Sequence, residues 1–311
     1  MKIAFLLYPT ANVRVDEDTS FWIMHELAVR GHEVYHFESR HLFVQGTLPK
    51  AHAYASSLDA KKGFLPSPLS EKPFSLTGFD AIFIRKEPPF DSGYLYAMQI
   101  LRLLGDKVFM LNEPRGIVMF NEKLSILNFG ELIPETLVTQ DAQTAKIFIQ
   151  KLKKRVVVKP LNQKAGSGIL ATDSQDKNLP SILDIATDFS KNKIMVQRFI
   201  ETKGQADKRI LILNGEILGI FSRKPSSLDF RSNLSVGGSM HKTTVSIEDQ
   251  KIVRRVAPTL VKNGLYFTGI DVMGRYVTEI NVTSPSGIPE INALYRLKIQ
   301  KKVAEFIESK I

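Results

Sequence analysis

Phe267-Thr-Gly-Ile-Asp271-Val-Met-Gly274-Arg-Tyr-Val-Thr-Glu279-Ile-Asn281-Val-Thr-Ser284-Pro285 is the stretch on which the reading of this chain turns. It reads as a β-hairpin. Glu279 and Asn281 are two residues apart in a strand, so their side chains share a face. Asp271 lies on the preceding strand, and the register decides what it meets. A two-residue turn at Gly274-Arg275 sets Asp271 opposite Thr278 and puts Glu279 on the other face; a three-residue loop of Gly274-Arg275-Tyr276 sets Asp271 opposite Glu279. In the second register Asp271, Glu279 and Asn281 form an all-oxygen cluster. Hard oxygen donors suit a magnesium ion carried on nucleotide phosphates, whose oxygens and waters complete the octahedron. One acid on a strand is more often a solvated surface residue; the triple, followed by Thr-Ser-Pro, favours the metal.

Working outward, cationic side chains stand where an anion could meet such a centre. Lys123 sits in Asn121-Glu122-Lys123, near the start of a helical run, and Lys159 ends the apolar strand Val-Val-Val-Lys159-Pro160. A lysine at the end of a buried strand must reach water or an anion, because an unpaired buried charge is costly. The loop after it, Asn162 to Gly168 with Gly166-Ser167-Gly168, can drape backbone N–H groups over phosphates. It is not a P-loop, since GxxxxGK[ST] is absent and a strand follows. Alone, such a loop is more often an ordinary turn. Asp207-Lys-Arg209 opens another strand. Residues 224–240, with Arg231, Asn233 and Gly237-Gly238 and little apolar content, have the composition of a mobile lid. Arg85-Lys86 follows the strand Asp-Ala-Ile-Phe-Ile, and ligands bind at the C-terminal ends of strands in open α/β sheets; two cations there suit a carboxylate-bearing substrate.

The remaining chain sets the frame. Residues 1–120 alternate strands (Lys2 to Tyr8, Glu33 to Phe37, Ala81 to Ile84, Val108 to Leu111) with helices (Phe21 to Val29, Tyr94 to Leu104), a rhythm that predicts a mainly parallel sheet. Residues 46–78, rich in Ser, Pro, Lys and Gly, read as a long irregular connection. From 121 onward short strands dominate, and Asn214-Gly215 marks a tight hairpin. With 311 residues, 43% hydrophobic and 24% charged, the chain is globular, and the absence of cysteine excludes disulfides, thiolate catalysis and zinc–thiolate or iron–sulfur sites. The first apolar run ends at Pro9 and reads as a buried strand, and no stretch is long enough for a membrane span, so a cytoplasmic place and no membrane partner are expected. The net charge of +10 is spread along the sequence rather than clustered, which favours an enzyme with anionic ligands over a nucleic-acid binder. His25, His32 and His36 read as structural.

In order along the chain, Asn121-Glu-Lys-Leu124, Val156-Val-Val-Lys-Pro160, Asp207-Lys-Arg-Ile-Leu211, residues 230–238 (FRSNLSVGG), Gly269-Ile-Asp-Val-Met-Gly274 and residues 278–288 (TEINVTSPSGI) resemble bacterial glutathione synthetase. The N-terminal segments around Tyr8 and Arg85 agree, so the likeness runs over nearly the whole chain. It implies an α/β chain with the ATP-grasp fold: a Rossmann-like N-terminal domain (1–120), a central subdomain (121–200) and a C-terminal subdomain with metal site and lid (201–311), ATP being clamped between two antiparallel sheets. It implies ATP phosphates on Lys123, Lys159, Gly166, Ser167 and Gly168, with Gln197 near the adenine. Asp271, Glu279 and Asn281 would hold magnesium, with manganese as a substitute. Arg209, Arg231, Asn233, Gly237 and Gly238 would serve the transferring phosphoryl and acyl groups. Arg85, Lys86, Ser284 and Pro285 would hold γ-glutamylcysteine. The implied reaction phosphorylates the cysteinyl carboxylate, which glycine then attacks, and the implied assembly is a homotetramer. Pro289-Glu290 stands where relatives carry Arg-Glu, which keeps a related ligase with another amine acceptor open as the alternative. A non-enzymatic nucleotide or nucleic-acid binder is the third reading, and the carboxylate–amide cluster argues against it.

Overall fold

The structure, a computed structural model, describes residues 1–9, 14–59, 63–163, 166–202, 206–227, 229–232 and 237–311. Its first part contains β1 (Lys2–Leu7), α1 (Thr19–Val29), β2 (Glu33–Glu38), β3 (Leu42–Gln45), β4 (Leu48–Ala51), β5 (Tyr54–Asp59), β6 (Gly63–Leu69), β7 (Phe74–Ser75), β8 (Ala81–Ile84), α2 (Ser92–Arg102), β9 (Phe109–Leu111) and α3 (Pro114–Met119). The main sheet runs β6-β5-β2-β1-β8-β9, and β2, β1, β8 and β9 are parallel to one another. The apolar runs Ile3–Leu7 and Ala81–Ile84 are buried along their whole length, as expected of parallel strands covered on both faces. Asp18 caps α1 by accepting from Ser20 N and Phe21 N at 2.7 and 3.2 Å, and Asp91 caps α2 through Tyr94 N at 2.7 Å.

Residues 46–78 depart from expectation. They are not an irregular connection but hold β4 to β7: β5 and β6 extend the main sheet antiparallel, and β3-β4-β7 make a small sheet of their own. Composition hid this because Pro66 falls on β6, a sheet edge, where a missing N–H is tolerated.

The middle part contains β10 (Thr136–Thr139), α4 (Ala142–Leu152), β11 (Val156–Pro160), β12 (Leu170–Thr172), α5 (Leu179–Ala186) and β13 (Ile194–Arg198), its antiparallel sheet ordered β10-β13-β11-β12. The last part contains β14 (Asp207–Leu213), β15 (Glu216–Lys224), β16 (Ser239–His241), α6 (Ile247–Lys262), β17 (Phe267–Met273), β18 (Tyr276–Asn281), α7 (Ile288–Tyr295) and α8 (Gln300–Glu308), its antiparallel sheet ordered β16-β15-β14-β17-β18. Asn214 and Gly215 turn the β14–β15 hairpin with φ of +48° and +87°, the pair of positive angles that such a turn requires.

The cores show how these parts are joined. One apolar cluster runs from Leu6, Phe37 and Ile84 to Ile210, Ile270 and Ile280, and a second from Phe5, Phe21 and Phe83 to Phe267, Ile291 and Val303. The first and last parts are thus fused, with α7 and α8 returning to pack near α1. The middle sheet has a smaller core of its own, including Ile149, Val156, Leu183 and Val196. Among the described residues no helix is long and apolar enough to cross a membrane.

Candidate functional site

The β17–β18 hairpin combines the two registers considered above. Its turn has two residues, Gly274-Arg275, since Met273 faces Tyr276 and Val272 faces Val277. Gly274 takes φ +62°, which side chains disfavour. A bulge then absorbs Thr278, and Asp271 faces Glu279 while Gly269 faces Asn281. One extra residue restores the facing that the bare turn would have lost. Asn281 Nδ2 lies 3.5 Å from Asp271 Oδ2, so the three oxygen-bearing side chains do share a face.

Asp271 is gripped by two arginines from neighbouring strands. The ladder sets Arg209 opposite Asp271 and Asp207 opposite Arg223. Arg209 donates Nε and Nη2 to the two Asp271 oxygens at 2.5 and 3.1 Å, and Arg223 Nη2 lies 3.1 Å from Asp271 Oδ2. Arg223 also forks onto Asp207 at 2.8 and 2.8 Å, and Arg209 Nη1 donates to Ser286 O at 3.1 Å. Burial alone would raise the Asp271 carboxyl; the Arg209 and Arg223 guanidiniums overcome that and hold it well below the usual carboxylate range. Gly269 makes room for this: a Cβ there would stand 3.3 Å from both Arg209 Cδ and Pro285 Cβ.

Lys159 comes from β11 of the facing middle sheet, and Lys123 from the turn beside the edge of β18. Lys123 Nζ lies 3.3 Å from Glu279 Oε1 and donates to Gln163 O at 2.7 Å. Lys159 Nζ donates to Gln197 Oε1 at 2.8 Å, and Gln197 Nε2 donates to Thr136 Oγ1 at 3.0 Å. Burial pulls the Lys159 ammonium from its usual 10.5 down to about 8. Gln197 is therefore the support of Lys159 as well as part of the cleft wall.

Gly166 and Ser167 line the same cleft, and Gly166 O accepts from Arg231 Nη1 at 2.8 Å. Arg231 in turn is fixed by Asp229, whose two oxygens accept from Nε at 3.0 Å each. The lid candidate and the glycine loop thus touch. Gly168 adjoins Pro160 and is not among the cleft-lining residues. Gly237 takes φ +89° beside Ser226, and neither it nor Gly238 lines the cleft. Asn233 lies outside the described residues.

Most of these groups converge on one cleft between the middle and last sheets, lined by Lys123, Lys159, Gln197, Arg223, Arg231, Asp271 and Glu279 among others; Arg209 and Asn281 are not among its lining residues. The lining does not include Arg85, Lys86, Ser284 or Pro285. Arg85, expected as an open cation at a strand end, is 1% exposed and sits between the Phe83 and Phe267 rings at 5.6 and 5.7 Å. Its Nε donates to Ser20 Oγ at 3.0 Å, Nη1 has no partner among the described residues, and burial lowers its pKa. Lys86 is half-buried, its Nζ 4.7 Å over the Tyr94 ring. Pro285 is buried and Ser284 half-buried in the turn leaving β18. Reading residues singly passed over Asp207 and Arg223 as a pair; only the register that makes them neighbours reveals them.

The donor set fits a hard cation. Among the described residues no group of three or more His, Cys, Asp or Glu side chains could hold a metal ion. Asp271, Glu279 and Asn281 carry oxygen donors of the kind a hard cation takes, and both Asp271 oxygens are engaged by Arg209 and Arg223 in this structure.

Comparison with known proteins agrees. Residues 1–117 match the prokaryotic glutathione synthetase N-terminal domain and residues 122–296 its ATP-grasp domain. Glutathione synthetase of Gloeobacter violaceus is 39% identical over 315 residues, covering 99% of this chain and 96% of the relative. That of Vibrio cholerae is 36% identical over 313 residues, covering 100% and 98%. Among solved structures, the D-cycloserine synthetase DcsG superposes with a TM-score of 0.69 at 12% identity, covering 98% of this chain and 99% of that one. The ATP-grasp ligase PsnB, complexed with a phosphomimetic precursor variant, Mg and ADP, superposes with a TM-score of 0.63 at 16% identity, covering 99% and 98%. At such identities the structural likeness speaks for the ATP-grasp fold alone.

Proposed function

The chain belongs to the prokaryotic glutathione synthetase family, and from that membership we propose that its cleft joins γ-L-glutamyl-L-cysteine to glycine, converting ATP to ADP and phosphate. It is an ATP-dependent carboxylate–amine ligase with the ATP-grasp fold, and ATP with Mg²⁺ is what such ligases use. The observation that carries the reading is the convergence of Lys123, Lys159 and Arg223 with Asp271 and Glu279 between two antiparallel sheets, with Arg209 paired to Asp271.

The chemistry follows from charge. A carboxylate is a poor electrophile; phosphorylation turns its oxygen into a leaving group, and the amine then displaces phosphate to leave an amide. The phosphoryl group carries its charge through the transfer, so fixed cations along its path lower the barrier. Lys123 and Lys159 are assigned to the ATP phosphates, and Arg209 and Arg223 to the phosphoryl and acyl oxygens. Asp271 keeps those two guanidiniums aimed. Asp271, Glu279 and Asn281 would hold Mg²⁺, which when bound supplies charge neutralisation on the phosphates; Mn²⁺ is proposed as a substitute. Arg231, reaching Gly166 O, is assigned to closing the lid against water. The unit boundaries near 120 and 200, substrate contacts at Lys86 and Ser284, a cytoplasmic place and a homotetramer complete the proposal.

The test is a screen of amine acceptors with ATP, Mg²⁺ and γ-glutamylcysteine, the product identified by mass. Turnover with glycine supports the reading. Turnover only with another amine transfers the function to the related ligase that Pro289 keeps open.

A further inference from the structure

We propose that Glu122 is a positioning residue for the metal-binding strand, an inference that rests on Glu279 and Asn281 being metal donors. β18 is the edge strand of its sheet. Its inner side is fixed by the β17 ladder and by Asn112, whose Nδ2 donates to Phe267 O and Val282 O at 2.7 and 2.9 Å. The outer edge of an isolated edge strand would offer its N–H groups only to water and could flex.

Here Glu122 supplies the missing acceptors. Its backbone carbonyl accepts from Ile280 N at 2.9 Å. Its Oε1 accepts from Val282 N at 3.1 Å, Thr283 N at 3.2 Å and Thr283 Oγ1 at 2.7 Å. Ile280 and Val282 bracket Asn281, and Glu279 precedes them. The next residue, Lys123, meets Glu279 Oε1 at 3.3 Å. Asn121 shapes the turn that makes both contacts possible, its Oδ1 accepting from Lys123 N and Leu124 N at 3.0 Å each. The tripeptide Asn121-Glu122-Lys123 therefore has three separate tasks: Asn121 forms the turn, Glu122 holds the strand edge, and Lys123 reaches the cleft.

A strand held on both edges presents two donors at a fixed spacing, and groups that orient metal ligands typically affect metal affinity or activity 10–100-fold. Glu122 would touch neither metal nor substrate.

The experiment is Mn²⁺ binding in the presence of ADP, read by electron paramagnetic resonance, on the full chain and on Glu122→Ala, Glu122→Gln and Thr283→Val. Glu122→Ala should weaken Mn²⁺ binding about 10-fold or more and raise the Mg²⁺ needed for half-maximal turnover. Glu122→Gln keeps an acceptor oxygen at the same place and should bind nearly as the wild type does. Thr283→Val, which removes one donor only, should fall between them and keeps the test available if the alanine variant does not fold. Unchanged Mn²⁺ affinity in the variants with only a lower melting temperature would make Glu122 a mere tie between subdomains and overturn the proposal, as would a glutamine variant as impaired as alanine. A wild-type chain that binds no Mn²⁺ with ADP would instead remove the metal reading, and this inference with it.

Discussion

Lys159 Nζ donates to Gln197 Oε1 across 2.8 Å, and both side chains are buried in the cleft wall. Burial lowers the ammonium's pKa to about 8, against the opposing pull of the Glu279, Asp271 and Asp207 carboxylates. Protonated Lys159 attracts phosphate and neutral Lys159 does not, so kcat/KM for ATP, which reports the free enzyme, should fall as pH rises through about 8. Lys159→Arg, charged throughout, should lose that limb. A wild-type profile flat well into the alkaline range would remove Lys159 from the ATP site.

Glu279 meets Lys123 and faces Asp271. Glu279→Gln keeps the shape and removes the charge that a hard cation needs. Turnover should drop about 100-fold or more with an unchanged circular dichroism spectrum. Wild-type-like activity would show that this carboxylate is no essential ligand.

Asp271 is the shared partner of two buried guanidiniums. Asp271→Asn takes the carboxylate from Arg209 and leaves Arg223 with Asp207, and should cost about 3–5 kcal/mol in denaturant unfolding, the usual loss on breaking a buried ion pair. Because the folded carboxyl is held below its unfolded value, its contribution is complete above about pH 4 and is lost only as pH falls through the lower folded value. Unfolding free energy unchanged in Asp271→Asn would contradict this network.

Arg231 joins lid and glycine loop through Gly166 O. If that contact keeps water from a reactive intermediate, Arg231→Ala should release phosphate in excess of amide product. Equal amounts of phosphate and amide in the variant would separate Arg231 from water exclusion.

Much of this is legible in the sequence. The parallel core of the first sheet was written in the buried runs Ile3–Leu7 and Ala81–Ile84, and the Asn214-Gly215 turn in its two residue types. The facing of Asp271 and Glu279 was legible only as one of two registers. The bulge at Thr278 that delivers it has no local signature, because a threonine suits either a ladder or a bulge. The strands within 46–78 were hidden because pairing across the sheet outweighed local composition. Asp207 and Arg223 were hidden for a related reason: sixteen residues separate them, and only strand register makes them neighbours. Arg85 shows the opposite limit. Its place at a strand end was correct, but burial between two phenyl rings depends on Phe267, far away in sequence.

The central claim is that the cleft activates a carboxylate as an acyl phosphate. γ-Glutamylcysteine labelled with oxygen-18 in its cysteinyl carboxylate tests this directly, by mass analysis of the phosphate released during turnover with glycine and ATP. The account predicts phosphate carrying one labelled oxygen, because the carboxylate oxygen that attacks the γ-phosphoryl leaves with it when the amine displaces it. Unlabelled phosphate formed alongside the amide, with one labelled oxygen kept in the amide carbonyl and the other lost to water, would contradict it.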